Sequence, residues 1–187
     1  GYGAAETFTK EGKTYVKGSA GVILEATDEL SGVEHIYFSV DGSPFAVYSA
    51  PVALTEEREY QLDCYAADHV GNVEKIKKVR IFPDLFPPQT TIEISGDRFE
   101  DVLSGRSKIL LKAEDKGMGI AAIQYRIDSN AWRTYQAPLN AGSLEQGDHR
   151  LEYYAVDQTG NRETGKSFLF SVDKTPPMMV QELVGKS

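Results

Sequence analysis

The stretch YAADHVGN (65–72) returns as YAVDQTGN (154–161), and both copies sit inside a self-match covering most of the chain. LEATDELSGVEHIYFSVDGSPFAVYSAP (24–51) overlays LKAEDKGMGIAAIQYRIDSNAWRTYQAP (111–138) at an offset of 87, so that Asp28 meets Asp115 and Pro51 meets Pro138. Beyond those prolines the offset is 89, with Asp68 on Asp157 and Pro87-Pro88 on Pro176-Pro177. A two-residue insertion near AGSLEQG (141–147) accounts for the change, in the kind of segment where insertions are best tolerated. A repeat of about 88 residues is too long for a solenoid unit and suits a sandwich domain of ~100 residues. The expected organisation is therefore a first repeat over 1–86, a second over 87–175, and a linker, tail or start of a further repeat over 176–187. The double prolines in FPDLFPPQT and VDKTPPMMV fix φ and restrict their predecessors, which makes stiff, extended connectors.

Within each copy the apolar residues alternate, as half-buried strands require. Leu24 and Ala26 match Leu111 and Ala113; Ile36, Phe38 and Val40 match Ile123, Tyr125 and Ile127; Leu62, Cys64 and Ala66 match Leu151, Tyr153 and Ala155. VDGSPF carries an Asp-Gly hairpin signal, with IDSNAW as its counterpart. Ten Tyr, eight Phe and no convincing helical stripe point to an all-β chain. With ~7 short strands per copy, two tandem immunoglobulin-like or fibronectin-III-like β-sandwiches are the economical arrangement.

Charge and cysteine content narrow the function classes. A net charge of −8 argues against nucleic acid, whose phosphates need a basic footprint, and against an anionic membrane surface. No apolar run approaches the ~20 residues of a transmembrane helix, so no membrane insertion is expected of this stretch. Cys64 is the single cysteine and forms no intrachain disulfide. The chain opens GYGAAETF without an initiator Met, as expected of a mature or excised piece.

The run D-x-x-S-G-V-x-x-I-x-F-S-x-D-G (28–42), the Y-x-x-P of 48–51, the A-x-D-x-x-G-N of 66–72 and the closing V-D-K-T-P-P of 172–177 resemble tandem bacterial immunoglobulin-like repeats. The second copy departs from this pattern at AEDKGMG and in placing Asp-Ser-Asn where the first has Asp-Gly. The resemblance implies a non-catalytic building block of an exported bacterial protein, at the cell surface, secreted or periplasmic. Its partners would be neighbouring domains of the same polypeptide. An adhesive module for a glycan or protein, or an accessory domain of an extracellular hydrolase, is the alternative. The motifs specify the module and no activity.

Three sets of residues invite a chemical reading. Asp28 and Asp68, like Asp115 and Asp157, extend inward-facing rows to the same end of their domain, where two carboxylates repel unless something satisfies them. Asp68-His69-Val70-Gly71 fits a type I turn, so backbone amides are the favoured partners; a Ca²⁺ ion is the alternative, against which the absence of a D-x-D-x-D loop weighs. Trp132 and Tyr135, aligned with Phe45 and Tyr48, are expected to pack over a hairpin corner, with sugar stacking as the alternative. No cofactor is otherwise expected, and no enzyme motif joins His35, His69, His149 or Cys64 into a catalytic group.

Overall fold

The computed structural model describes residues 7–18 and 21–180. The first repeat forms β1 (Thr7–Lys10), β2 (Lys13–Lys17), β3 (Val33–Val40), β4 (Ala46–Val47), β5 (Tyr60–Asp68) and β6 (Lys77–Asp84). These make one sheet in the order β1-β2-β6-β5-β3-β4, antiparallel except where β2 runs parallel to β6. The second repeat forms β7 (Gln89–Ser95), β8 (Arg98–Phe99), β9 (Val102–Ser104), β10 (Lys108–Glu114), β11 (Ile120–Ile127), β12 (Arg133–Thr134), β13 (Leu139–Asn140), β14 (Gly147–Asp157) and β15 (Lys166–Asp173). Its larger sheet has the order β12-β11-β14-β15-β9-β8, with β9 parallel to β15. Read from the other edge this is the order of the first sheet, strand for strand. A second, three-stranded sheet, β13-β10-β7, completes the sandwich.

The cores follow from the alternation. In β5, Tyr60, Leu62 and Cys64 are buried and their neighbours less so; in β14, Leu151, Tyr153 and Ala155 do the same. Leu103, Ile109, Leu111, Leu151, Phe170 and Val172 interlock as one cluster drawn from both sheets of the second repeat. In the first repeat, Val22, Leu24, Val52 and Leu54 cover Leu62, Cys64 and Ile81. The chain is thus an all-β protein of immunoglobulin-like and fibronectin-III-like sandwich architecture.

The strand expected at Leu24–Ala26 differs from the finding. Among the described residues its ladder is one rung, Val22↔Val52, although Leu24 is buried as the alternation requires. A strand exists through its partners, and the alternation of side chains reports burial alone. By contacts the chain divides into two compact units whose limits do not follow the repeats. One gathers Gly1–Gln89 with Ala113–Ala122 and Ala155–Glu163, and the other holds Thr90–Lys112, Ile123–Tyr154 and Thr164–Ser187.

Candidate functional site

The repeated phrase forms the same turn twice. Asp68 is the last residue of β5, and the Gly71 amide donates to its carbonyl at 3.2 Å, closing a four-residue turn. Gly71, at φ +87°, occupies the left-handed position that follows a type I turn. Asp157 ends β14, and Gly160 (φ +85°) closes the equivalent turn. Both aspartates point inward because period two carries the core row through the last residue of the strand.

At the first copy the carboxylates are well supplied with donors. Asp28 Oδ2 accepts from the amides of Ser31 and Gly32, each at 2.8 Å, and from Ser31 Oγ at 3.0 Å. Asp68 Oδ1 accepts from the Val70 and Asn72 amides, and its Oδ2 from Asn72 Nδ2 (2.8 Å) and Ser31 Oγ (2.9 Å). The Ser31 hydroxyl thus lies against both carboxylates. The Asn72 side chain, with further donors including Ser31, outweighs burial and holds the Asp68 carboxyl down to about 2. Asp28 is likewise lowered by Ser31 and Gly32.

The second copy is built differently. Asp115 keeps one amide donor, Gly119 N at 2.7 Å to its Oδ2. The position of Ser31 is taken by Met118, whose side chain carries no hydroxyl. Asp157 Oδ1 accepts from the Thr159 amide and hydroxyl and from the Asn161 amide. Asn161 Nδ2 donates instead to the Asp84 carbonyl (3.0 Å) and to Thr159 Oγ1, so Asp157 Oδ2 is buried without a hydrogen-bond partner among the described residues.

Asp84 is the residue that sequence reasoning missed. It is the last residue of β6, held by the parallel register Lys17↔Asp84, and it is fully buried. Its Oδ2 accepts from Met118 N (3.0 Å) and Thr159 Oγ1 (3.2 Å), while Oδ1 is buried with no hydrogen-bond partner among the described residues. Gly117 makes room for it: a Cβ there would overlap the Asp84 carboxylate. Asp84, Asp115 and Asp157 each offer an oxygen within 4.8 Å of the others'. Burial pushes the Asp84 carboxyl up; the Met118 amide opposes this, and the nearby Asp157 and Asp115 reinforce it. A signal for Asp84 existed, since the offset of 89 places it on Asp173 of VDKTPP.

The aromatic candidates separate. Tyr135 packs on the core, edge-on to Tyr125 at 6.2 Å, and its hydroxyl accepts from Leu111 N at 3.2 Å. Trp132 is 39% exposed, edge-on to Tyr154 at 4.9 Å and with the Arg126 guanidinium 4.8 Å from its ring centroid. Among the possible catalytic groups, the His149 ring contacts Asp128 Oδ2 (2.6 Å) and the Glu145 carbonyl (2.9 Å). Cys64 is buried in the core, and burial pushes its thiol up, away from the reactive thiolate.

Fold and site together define a class: a duplicated all-β sandwich in which Asp68, Asp84 and Asp157 are buried and Asp115 is half-buried, while Asp28, expected to face inward, is exposed and lines an open cleft with Asp68. No family model matches the chain, and no curated protein matches it in sequence. Among solved structures, the fibronectin(III)-like modules of CbhA from Clostridium thermocellum are similar at 13% identity and a TM-score of 0.45, over 84% of this chain and 88% of that one. The D00-D0 domain of Intimin is similar at 11% identity and a TM-score of 0.32, over 82% of this chain and 94% of that one.

Proposed function

We propose that the chain is a non-catalytic structural module of an exported bacterial protein, surface-bound or secreted, which spaces and presents neighbouring domains of the same polypeptide. The observation in its favour is the repetition of one six-stranded sheet, with the same strand order and the same parallel pairing, in both copies. In the first copy the turn carboxylates of Asp28 and Asp68 accept from that copy's own backbone amides. Sandwiches of this kind host many functions, so the fold name by itself carries none of them.

The exposed Trp132 favours a second reading, in which the ring stacks on a sugar of a surface glycan. A glycan array probed with the purified chain separates the two. The spacer reading expects a blank array. Binding that Trp132→Ala abolishes while the unfolding midpoint stays in place would replace the spacer with a glycan-binding module.

A further inference from the structure

We infer that Asp84, Asp115 and Asp157 bind a calcium ion. Their three oxygens lie within 4.8 Å of one another, a span that two Ca–O bonds of about 2.3–2.6 Å bridge. The independent observation is that, among the described residues, Asp84 Oδ1 and Asp157 Oδ2 are buried without a hydrogen-bond partner, in residues that are 0% and 1% exposed. Buried polar atoms of folded proteins are nearly always partnered, and a bare carboxylate oxygen is among the costliest exceptions. Something positive belongs beside them.

The first copy serves as an internal control. There Asn72 Nδ2 donates to Asp68 Oδ2, and Ser31 Oγ lies between Asp28 and Asp68. In the second copy Asn161 turns its amide to the Asp84 backbone, Met118 stands in place of Ser31, and a third carboxylate enters through the space that Gly117 leaves. The Thr159 hydroxyl has one proton for two acceptors, Asp84 Oδ2 and Asp157 Oδ1, as the Ser31 hydroxyl has for Asp28 Oδ2 and Asp68 Oδ2. The Lys10 ammonium donates to the Gly117 and Met118 carbonyls, at 3.2 and 3.3 Å, rather than to the three carboxylates. The hydroxyl lost at Ser31 returns at Thr159, where the first copy has Val70, so the net change is one amide turned away and one carboxylate added.

The ligand chemistry selects the ion. An all-oxygen, carboxylate-rich set suits a hard cation and offers no nitrogen or sulfur for zinc or copper. Asp115 is half-buried, which leaves a side open for the waters that complete six to eight ligands. All three aspartates lie in the first compact unit, so binding ties the end of β6 to the turns after β10 and β14 within that unit. This site stands whether the chain spaces domains or binds a glycan.

The test is calorimetric titration of the purified chain with CaCl2 after chelation, with unfolding scans in chelator and in excess CaCl2. One ion per chain is expected, with a dissociation constant on the order of 10⁻⁴–10⁻³ M, the range of extracellular modules, and a higher unfolding temperature in CaCl2. Asp84→Asn is expected to abolish the calcium response and to unfold in chelator no earlier than wild type, because one of three repelling charges is gone. No response in the wild type, or a response that survives Asp84→Asn, overturns the site. Should Asp84→Asn fail to fold, Asp115→Asn carries the test: affinity weakened about tenfold or more is expected, and unchanged affinity overturns the site. A response to MgCl2 in place of CaCl2 overturns the assignment to calcium.

Discussion

Gly117 is small because Asp84 is beside it. Replacing it with Ala drives a methyl group into a buried carboxylate held by β6, and overpacking of this kind costs about 1–3 kcal/mol. A lowered urea midpoint for Gly117→Ala checks this, and an unchanged one contradicts the placement of Asp84. Asp68 makes a pH prediction with a definite sign. Its carboxyl sits at about 2 in the folded chain against 3.8 as a free side chain, so its contribution is present above 3.8 and is lost as pH falls towards 2. Asp68→Asn is therefore expected to flatten the acid limb of stability against pH, measured by denaturant unfolding from pH 5 downwards. Asp28, Asp68, Asp115 and Asp157 were legible as a repeated turn because local spacing encodes turns. Asp84 was not, because it reaches its partners from the end of a distant strand, and its recurrence as Asp173 names none of them. The bare oxygens were invisible for a different reason: sequence shows that Asn161 is present, but not where its amide points.

Turns carry the difference between the copies at the level of elements. After β3, Asp41 (φ 52°) and Gly42 (φ 76°) form the turn that matches strand twist, closed by Ser43 N to the Val40 carbonyl at 3.0 Å. After β11, Asp128 (φ 52°) and Ser129 (φ 61°) adopt the same shape, so a side chain occupies a position that favours glycine. Ser129→Gly should stabilise the second copy by roughly 0.5–1 kcal/mol, the left-handed strain relieved less the backbone entropy that glycine adds. Thermal unfolding measures it, and a loss of stability would mean that the serine holds the turn. VDGSPF announced this hairpin in the sequence, and IDSNAW announced it only by alignment with the first copy. The strand at Leu24–Ala26 shows the opposite limit. Its alternation foretold that Leu24 is buried, while its ladder depended on partners that its own residues do not name.

At the scale of the whole molecule, one blueprint has been closed in two ways. Duplication was legible throughout, because the self-match sets the strands of one copy over those of the other, and the two larger sheets share one strand order. Divergence between the copies was less legible, because it lies in single exchanges such as Ser31 against Met118 whose meaning depends on what stands opposite. The first copy satisfies its turn carboxylates with hydrogen bonds, and the second brings in Asp84, for which a cation is proposed. A proton–nitrogen correlation spectrum of the full chain, followed as CaCl2 is added to the chelated protein, tests that contrast directly. The account predicts shifts at the amides of Asp84, Met118, Gly119 and Thr159–Asn161, with those of Ser31, Gly32, Val70 and Asn72 unmoved. Shifts centred on Ser31 and Asn72, or a spectrum indifferent to calcium, would contradict it.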